Sequence, residues 1–120
     1  MLKSLSSIQT NFDWQRLNQL ADEDPDFAVE LLSMFLKDTE SSLLLLERAI
    51  SAQSFQSIED VSHAIRGASA NVGAIAISEV AVQLEEAACC KDIRAVNRLL
   101  QLLYEQCTQL RAELSTKQMA

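Results

Sequence analysis

Two glycines and a single proline are all the punctuation this chain of 120 residues has. So little turn-forming material excludes a sheet assembled from many hairpins, whose tight connections draw on glycine, asparagine and proline. Both glycines, Gly67 and Gly73, fall in one stretch, VSHAIRGASANVG (61–73), which also holds the only histidine, His63. Apolar side chains make up 48% of the residues and aromatic ones 5%, so the core of a single domain of this length must be mostly aliphatic.

A 3.6-residue apolar period predicts five helices. A short first one, about Asp13 to Leu20, carries Trp14, Leu17 and Leu20. In DEDPDF, Asp24 is a suitable N-cap and Pro25 a suitable first helical residue. The second helix follows to about Ile50, with Phe27, Leu31, Leu32, Phe35, Leu43, Leu46 and Ile50 in its apolar set. The third runs from near Ser54 to Val72, where Gly73 suits a left-handed C-cap. The fourth covers about Ile75 to Cys90, with Val80, Leu84 and Ala87 on one side. The fifth starts after Asp92 as N-cap and carries Ile93, Val96, Leu100, Leu103, Cys107, Leu110 and Leu114, the alternating steps of a bundle seam. Four long amphipathic helices with short connections imply an all-α, antiparallel four-helix bundle, the short N-terminal helix packing across one end or flank. The domain is expected over residues 13–115, with frayed segments at 1–12 and 116–120.

Several partner classes are excluded on charge and hydropathy. A net charge of −7 with ten scattered basic residues argues against nucleic acid, which is bound through clustered Lys and Arg. No apolar run approaches the roughly 20 residues that cross a bilayer. The first residues lack the apolar region of a secretory signal, so a cytoplasmic location and an acidic monomer are expected. Cys89, Cys90 and Cys107, even with His63, lack the C-x-x-C or H-x-x-x-H spacing of a zinc site, and are expected as buried or half-buried thiols.

On the third helix Ile58, Val61, Ile65, Ala68 and Val72 form one stripe, and His63 lies roughly 170° from its middle at 100° per residue. It should face solvent. Gly67 lies one turn on along the same outer face, where glycine costs about 1 kcal/mol relative to alanine. It either tolerates a kink or leaves bare backbone so that another molecule can approach the imidazole. Arg66 is within side-chain reach of His63, and its guanidinium is suited to hold an oxyanion with two parallel hydrogen bonds. Taken alone, each of these side chains reads equally as solvated surface. It is their conjunction that points to chemistry.

The segment HAIRGASANVGA resembles the signature of histidine-containing phosphotransfer (HPt) domains, H-x-x-K-G-x-S-x-x-x-G. His63 matches the phosphorylated histidine, Arg66 the basic position, Gly67 and Gly73 the two glycines and Ser69 the small polar position. DPDFAVELLSMFLKDTESSLLLLERAI resembles the helix before the motif and LEEAACCKDIRAVNRLL the turn after it, so the likeness spans about Asp13 to Leu114. The family more often has lysine where Arg66 stands.

The resemblance implies a phosphorelay intermediate that takes a phosphoryl group from a receiver aspartate or a sensor histidine kinase and passes it to another receiver. Neutral imidazole offers a nitrogen lone pair and needs no separate base. Arg66 would screen the phosphoryl oxygens. Ser69 would add a hydrogen bond, or pack against the buried stripe. No cofactor is expected on this chain, the magnesium ion belonging to the receiver, and no kinase or ATPase activity of its own. Leu17, Leu20 and Phe27 are candidates both for a small partner surface and for sealing the bundle end. Two other readings compete: a helical adaptor that binds receivers without transfer, and a metal or redox protein using the cysteines.

Overall fold

The computed structural model describes residues 12–119, with side chains through residue 116. Its five helices are α1 (Trp14–Leu20), α2 (Pro25–Ser51), α3 (Phe55–Val72), α4 (Ile75–Cys89) and α5 (Ile93–Met119). Three of them begin on aspartates. Asp13 accepts from the Arg16 amide at 3.0 Å, Asp24 from the amides of Asp26 and Phe27, and Asp92 from that of Ala95 at 3.1 Å. Each carboxylate satisfies amide donors that the first turn leaves open and places negative charge at the positive end of the helix dipole.

The C-terminal ends of α2, α3 and α4 share one capping geometry. The amides of Ser54, Ala74 and Asp92 each reach back to the carbonyls of Ala49, Ser69 and Ala87, at 2.9, 2.8 and 2.9 Å. The residue before each of those amides is left-handed: Gln53 (φ 52°), Gly73 (φ 92°) and Lys91 (φ 57°). This is the six-to-one bond that satisfies the orphan carbonyls of a helix end.

The four long helices pack in a ring, α2 on α3, α3 on α4, α4 on α5 and α5 back on α2, while α1 lies against α2 and α3. Side-chain bonds between α2 and α5 show the antiparallel sense: Glu40 meets Arg111 and, one to two turns further along α2, Glu47 accepts from Tyr104. Between them lies an aliphatic core in which Leu32, Leu36, Leu43, Leu46, Ile58, Leu84, Val96 and Leu103 are fully buried. Each such side chain contributes on the order of 1.5–3 kcal/mol by leaving water.

The buried stripe of α3 is Ile58, Ser62, Ile65, Ser69 and Val72, whereas Val61 is half-buried and Ala68 is exposed. The expected stripe is therefore rotated, because two serines serve as core residues. α3 and α4 are the most extensively packed pair, and Ser62 and Ser69 on one and Ala81 and Ala88 on the other are small side chains that let two helices come close. Ser69 spends its hydroxyl inside its own helix, on the Ile65 carbonyl at 2.6 Å, so its polarity does not oppose burial. On α5, Leu99 is buried and Leu100 half-buried, a similar small rotation of the expected seam.

Two further expectations are corrected. Cys89 and Cys90 are exposed, because α4 ends at the first and the second is its C-cap, where the chain leaves the bundle. Only Cys107 is buried, and burial, reinforced by the charge of Glu40, pushes its thiol up to about 12. The backbone of α5 stays helical to Met119, through most of the segment expected as a C-terminal tail. Of the expected N-terminal segment 1–12, residues 1–11 lie outside the described residues, while Phe12 forms an isolated bridge with Ala74. Among the described residues no helix is long and apolar enough to cross a membrane.

Candidate functional site

His63 projects from the middle of α3. Relative to the buried stripe as observed it is turned by about 140°, and Gly67 by about 180°, at 100° per residue. The imidazole is accordingly open, with 66% of its side-chain surface exposed. Arg66 lies on the flank between the outer face and α4, 40% exposed. An ideal Cβ built on Gly67 meets nothing within 4 Å, so nothing inside the bundle requires glycine there.

A third residue completes the cluster from across the helix pair. Glu85 of α4, 19% exposed, places Oε2 3.0 Å from His63 Nδ1 and Oε1 2.5 Å from Arg66 Nε. Arg66 Nη2 in turn lies 2.8 Å from the same His63 Nδ1. Partial burial works to raise the Glu85 carboxyl, but the hydrogen bonds from His63 and Arg66 and the guanidinium charge outweigh it and hold the group below its ordinary range. Glu85 is therefore an ionised acceptor wedged between a ring nitrogen and a guanidinium. Glu85 and Arg66 both converge on His63 Nδ1, and neither engages Nε2 of the exposed ring.

Glu85 was not a candidate from sequence. In LEEAACC it reads as one of two consecutive glutamates on a solvated face, and nothing local separates it from Glu86. Only the antiparallel register of α3 and α4 brings it to His63, 22 residues away.

The remaining predicted positions separate. Ser69 is fully buried, bonded to the Ile65 carbonyl and 3.1 Å from that of Arg66. Its hydroxyl cannot reach a group on His63 without leaving the core, and its place is in the packing of α3. Gly73 lies at the far end of the helix, where the Asp13 amide donates to its carbonyl at 2.8 Å. Leu17 is buried and seals the bundle, whereas Leu20 and Phe27 are exposed. Phe27 shares a face of α2 with Leu31 and Met34, and Leu31 and Met34 border a groove of about 340 Å³ whose other wall includes Ala64 and Ala68 of α3. That apolar groove adjoins the His63 face. Among the described residues no group of three or more His, Cys, Asp or Glu side chains is placed to hold a metal ion.

Comparison with known proteins points one way. The pattern of the Hpt domain family matches residues 30–116. Among solved structures, histidine-containing phosphotransfer protein B of Pseudomonas aeruginosa superposes with a TM-score of 0.82 at 24% identity, over 92% of this chain and 96% of its own. The histidine-containing phosphotransfer protein MtHPt2 of Medicago truncatula gives 0.82 at 26% identity, over 98% of this chain and 85% of its own. A putative histidine-containing phosphotransfer protein from rice gives 0.77 at 22% identity, over 97% and 85%. No curated protein sequence matches the chain.

Proposed function

The chain belongs to the Hpt domain family, and on that premise we propose that it carries a phosphoryl group on His63 between receiver aspartates, or from a sensor histidine kinase to a receiver. The observation that carries the reading is an exposed imidazole that, among the described residues, is engaged through Nδ1 alone, beside a guanidinium and a bare helical glycine.

The chemistry follows from that geometry. The Nε2 lone pair attacks the phosphorus of a receiver's acyl phosphate. A P–N bond forms as the P–O bond breaks, and the aspartate leaves as a carboxylate. Transfer onward is the reverse, with the carboxylate of a second receiver as nucleophile. Such steps depend on in-line positioning and charge compensation, and here the first comes from the open face around Gly67. The second comes from Arg66, whose guanidinium stands 2.8 Å from the His63 ring and brings a positive charge beside a phosphoryl group carried there. The magnesium ion that neutralises the acyl phosphate is the receiver's own. The apolar groove beside Ala64 and Ala68 extends the surface on which a receiver would rest, and a cytoplasmic location suits such partners.

The test is phosphoryl transfer from a phosphorylated receiver to the wild-type chain and to His63→Gln. Acid-labile, base-stable label on the wild type and none on the variant is the expected result. Receivers that bind with equal affinity to both and label neither would establish a non-transferring adaptor instead.

A further inference from the structure

His63 Nδ1 has two neighbours that make opposite demands. Arg66 Nη2, 2.8 Å away, can only donate a hydrogen bond. Glu85 Oε2, 3.0 Å away and ionised, can only accept one. A ring nitrogen bearing hydrogen satisfies the carboxylate and repels the guanidinium N–H. The same nitrogen with its lone pair bare does the reverse. At any moment one neighbour is matched and the other is not.

Phosphoryl transfer through Nε2 alternates between these two states. To attack phosphorus, neutral imidazole must keep the Nε2 lone pair free, so its hydrogen sits on Nδ1 and is donated to Glu85. Once the P–N bond has formed and the leaving carboxylate has departed, the ring is cationic. Release of the Nδ1 proton to solvent leaves a neutral phosphoimidazole whose bare Nδ1 accepts from Arg66. For transfer onward Nδ1 takes up a proton from solvent, making the ring a better leaving group. The P–N bond then breaks as the new P–O bond forms, and the hydrogen remaining on Nδ1 returns to Glu85.

We propose that Glu85 and Arg66 exchange the hydrogen-bond partner of His63 Nδ1 with the phosphorylation state, Glu85 holding the nucleophilic tautomer of the free ring and Arg66 holding the phosphorylated ring neutral and long-lived. The inference rests on the reading of His63 as the phosphorylated residue. Glu85 is a positioning residue in it, acting through the ring rather than on the phosphoryl group. Arginine rather than lysine at position 66 is accounted for as well. Its Nε stays on Glu85 Oε1 while a different nitrogen reaches Nδ1, which the single nitrogen of lysine cannot do in one fixed geometry.

The experiment has two arms on the full chain. In the first, ring nitrogen shifts of ¹⁵N-histidine-labelled, unphosphorylated protein report the tautomer. The wild type should show hydrogen on Nδ1, and Glu85→Ala should move the population toward hydrogen on Nε2. A wild-type ring with hydrogen mainly on Nε2, or a tautomer indifferent to Glu85→Ala, overturns the proposal.

In the second, the lifetime of the phosphohistidine is followed after receiver and donor are removed. Arg66→Lys, which keeps a charge for the phosphoryl oxygens but lacks the second nitrogen, should shorten it several-fold, and Glu85→Ala should lengthen it several-fold. Shifts in the same direction, or none, overturn it. A purely structural role for either residue would not produce opposite signs. Label that settles on a residue other than His63 strikes down the relay reading and, with it, the phosphorylated half of the exchange. The tautomer arm needs no phosphoryl donor and still decides the Glu85 half.

Discussion

The two glycines of α3, six residues apart, do opposite work. At Gly67 the helix is regular and a methyl group would meet nothing within 4 Å. At Gly73 the backbone is left-handed, and a Cβ would stand 2.5 Å from the Asp13 carbonyl oxygen and 3.3 Å from the Arg16 side chain. The open face is kept empty against the helix's own propensity. The closed end is filled until only glycine fits. The left-handed turn is not by itself what demands glycine, since Gln53 and Lys91 adopt the same conformation in the same capping geometry. What Gly73 has and they lack is α1 lying across it: the Asp13 amide bonds to its carbonyl, and Arg16 donates to the Asn71 carbonyl at 3.1 Å. The face proposed for phosphoryl transfer lies where the helix is left uncovered, and the covered end serves stability.

The sharpest way to break this contrast is Gly73→Val. A β-branched side chain at positive φ together with overlap on the Asp13 carbonyl should cost about 2–4 kcal/mol, read as a lower urea midpoint. Gly73→Asn tests the cause, because asparagine tolerates the left-handed turn but still carries the offending Cβ. If it is as stable as the wild type, the close approach of α1 is not the constraint.

Gly67→Ala should have the opposite sign, raising stability by up to about 1 kcal/mol through helix propensity while slowing phosphoryl transfer at His63. A variant that is both more stable and fully active would remove the case for partner access at this position. Lys91→Gly, which relieves an exposed left-handed non-glycine residue, should be neutral or stabilising by no more than about 1 kcal/mol. Thermal melts suffice to compare it with the Gly73 variants.

The smallest effect belongs to pH. The folded pKa of Glu85 is lowered from 4.5, so what its pairing adds to stability is present above that value and is lost as pH falls through the folded value. The group is near the surface, and a few tenths of a kcal/mol is the scale to expect. The difference in melting temperature between wild type and Glu85→Gln should therefore be present at pH 6 and shrink as pH is lowered below 4.5. A difference that persists unchanged at pH 3 would mean that the carboxylate charge is not what holds the cluster.

Much of this was legible in the chain because it is local. Helix limits agree to within a residue or two at most ends, since aspartate caps, Pro25 and the left-handed turn at Gly73 act over a few residues. His63, Arg66 and Gly67 were legible for the same reason: they share one helix, and 100° per residue relates them. The reading went astray where burial was inferred from side-chain type. Ser62 and Ser69 entered the core although they are polar, and Ala68 left it although it is apolar, because a close helix pair selects for size; Ser69 bonds the Ile65 carbonyl of its own helix, whereas the buried Ser62 hydroxyl has no partner among the described residues. Cys89 and Cys90 were misplaced because position at a helix end overrides the tendency of free thiols to be buried.

The sequence alone determined that the chain is helical, where its helices start and stop, and that one helix presents histidine, arginine and glycine outward, since these follow from contacts spanning four residues or fewer. The tertiary structure alone decided that Glu85 faces His63 and Arg66, that Asp13 closes over Gly73, and which side of α3 is core. Those depend on the register and separation of packed helices, set by the whole aliphatic core at once and by no residue's neighbours along the chain.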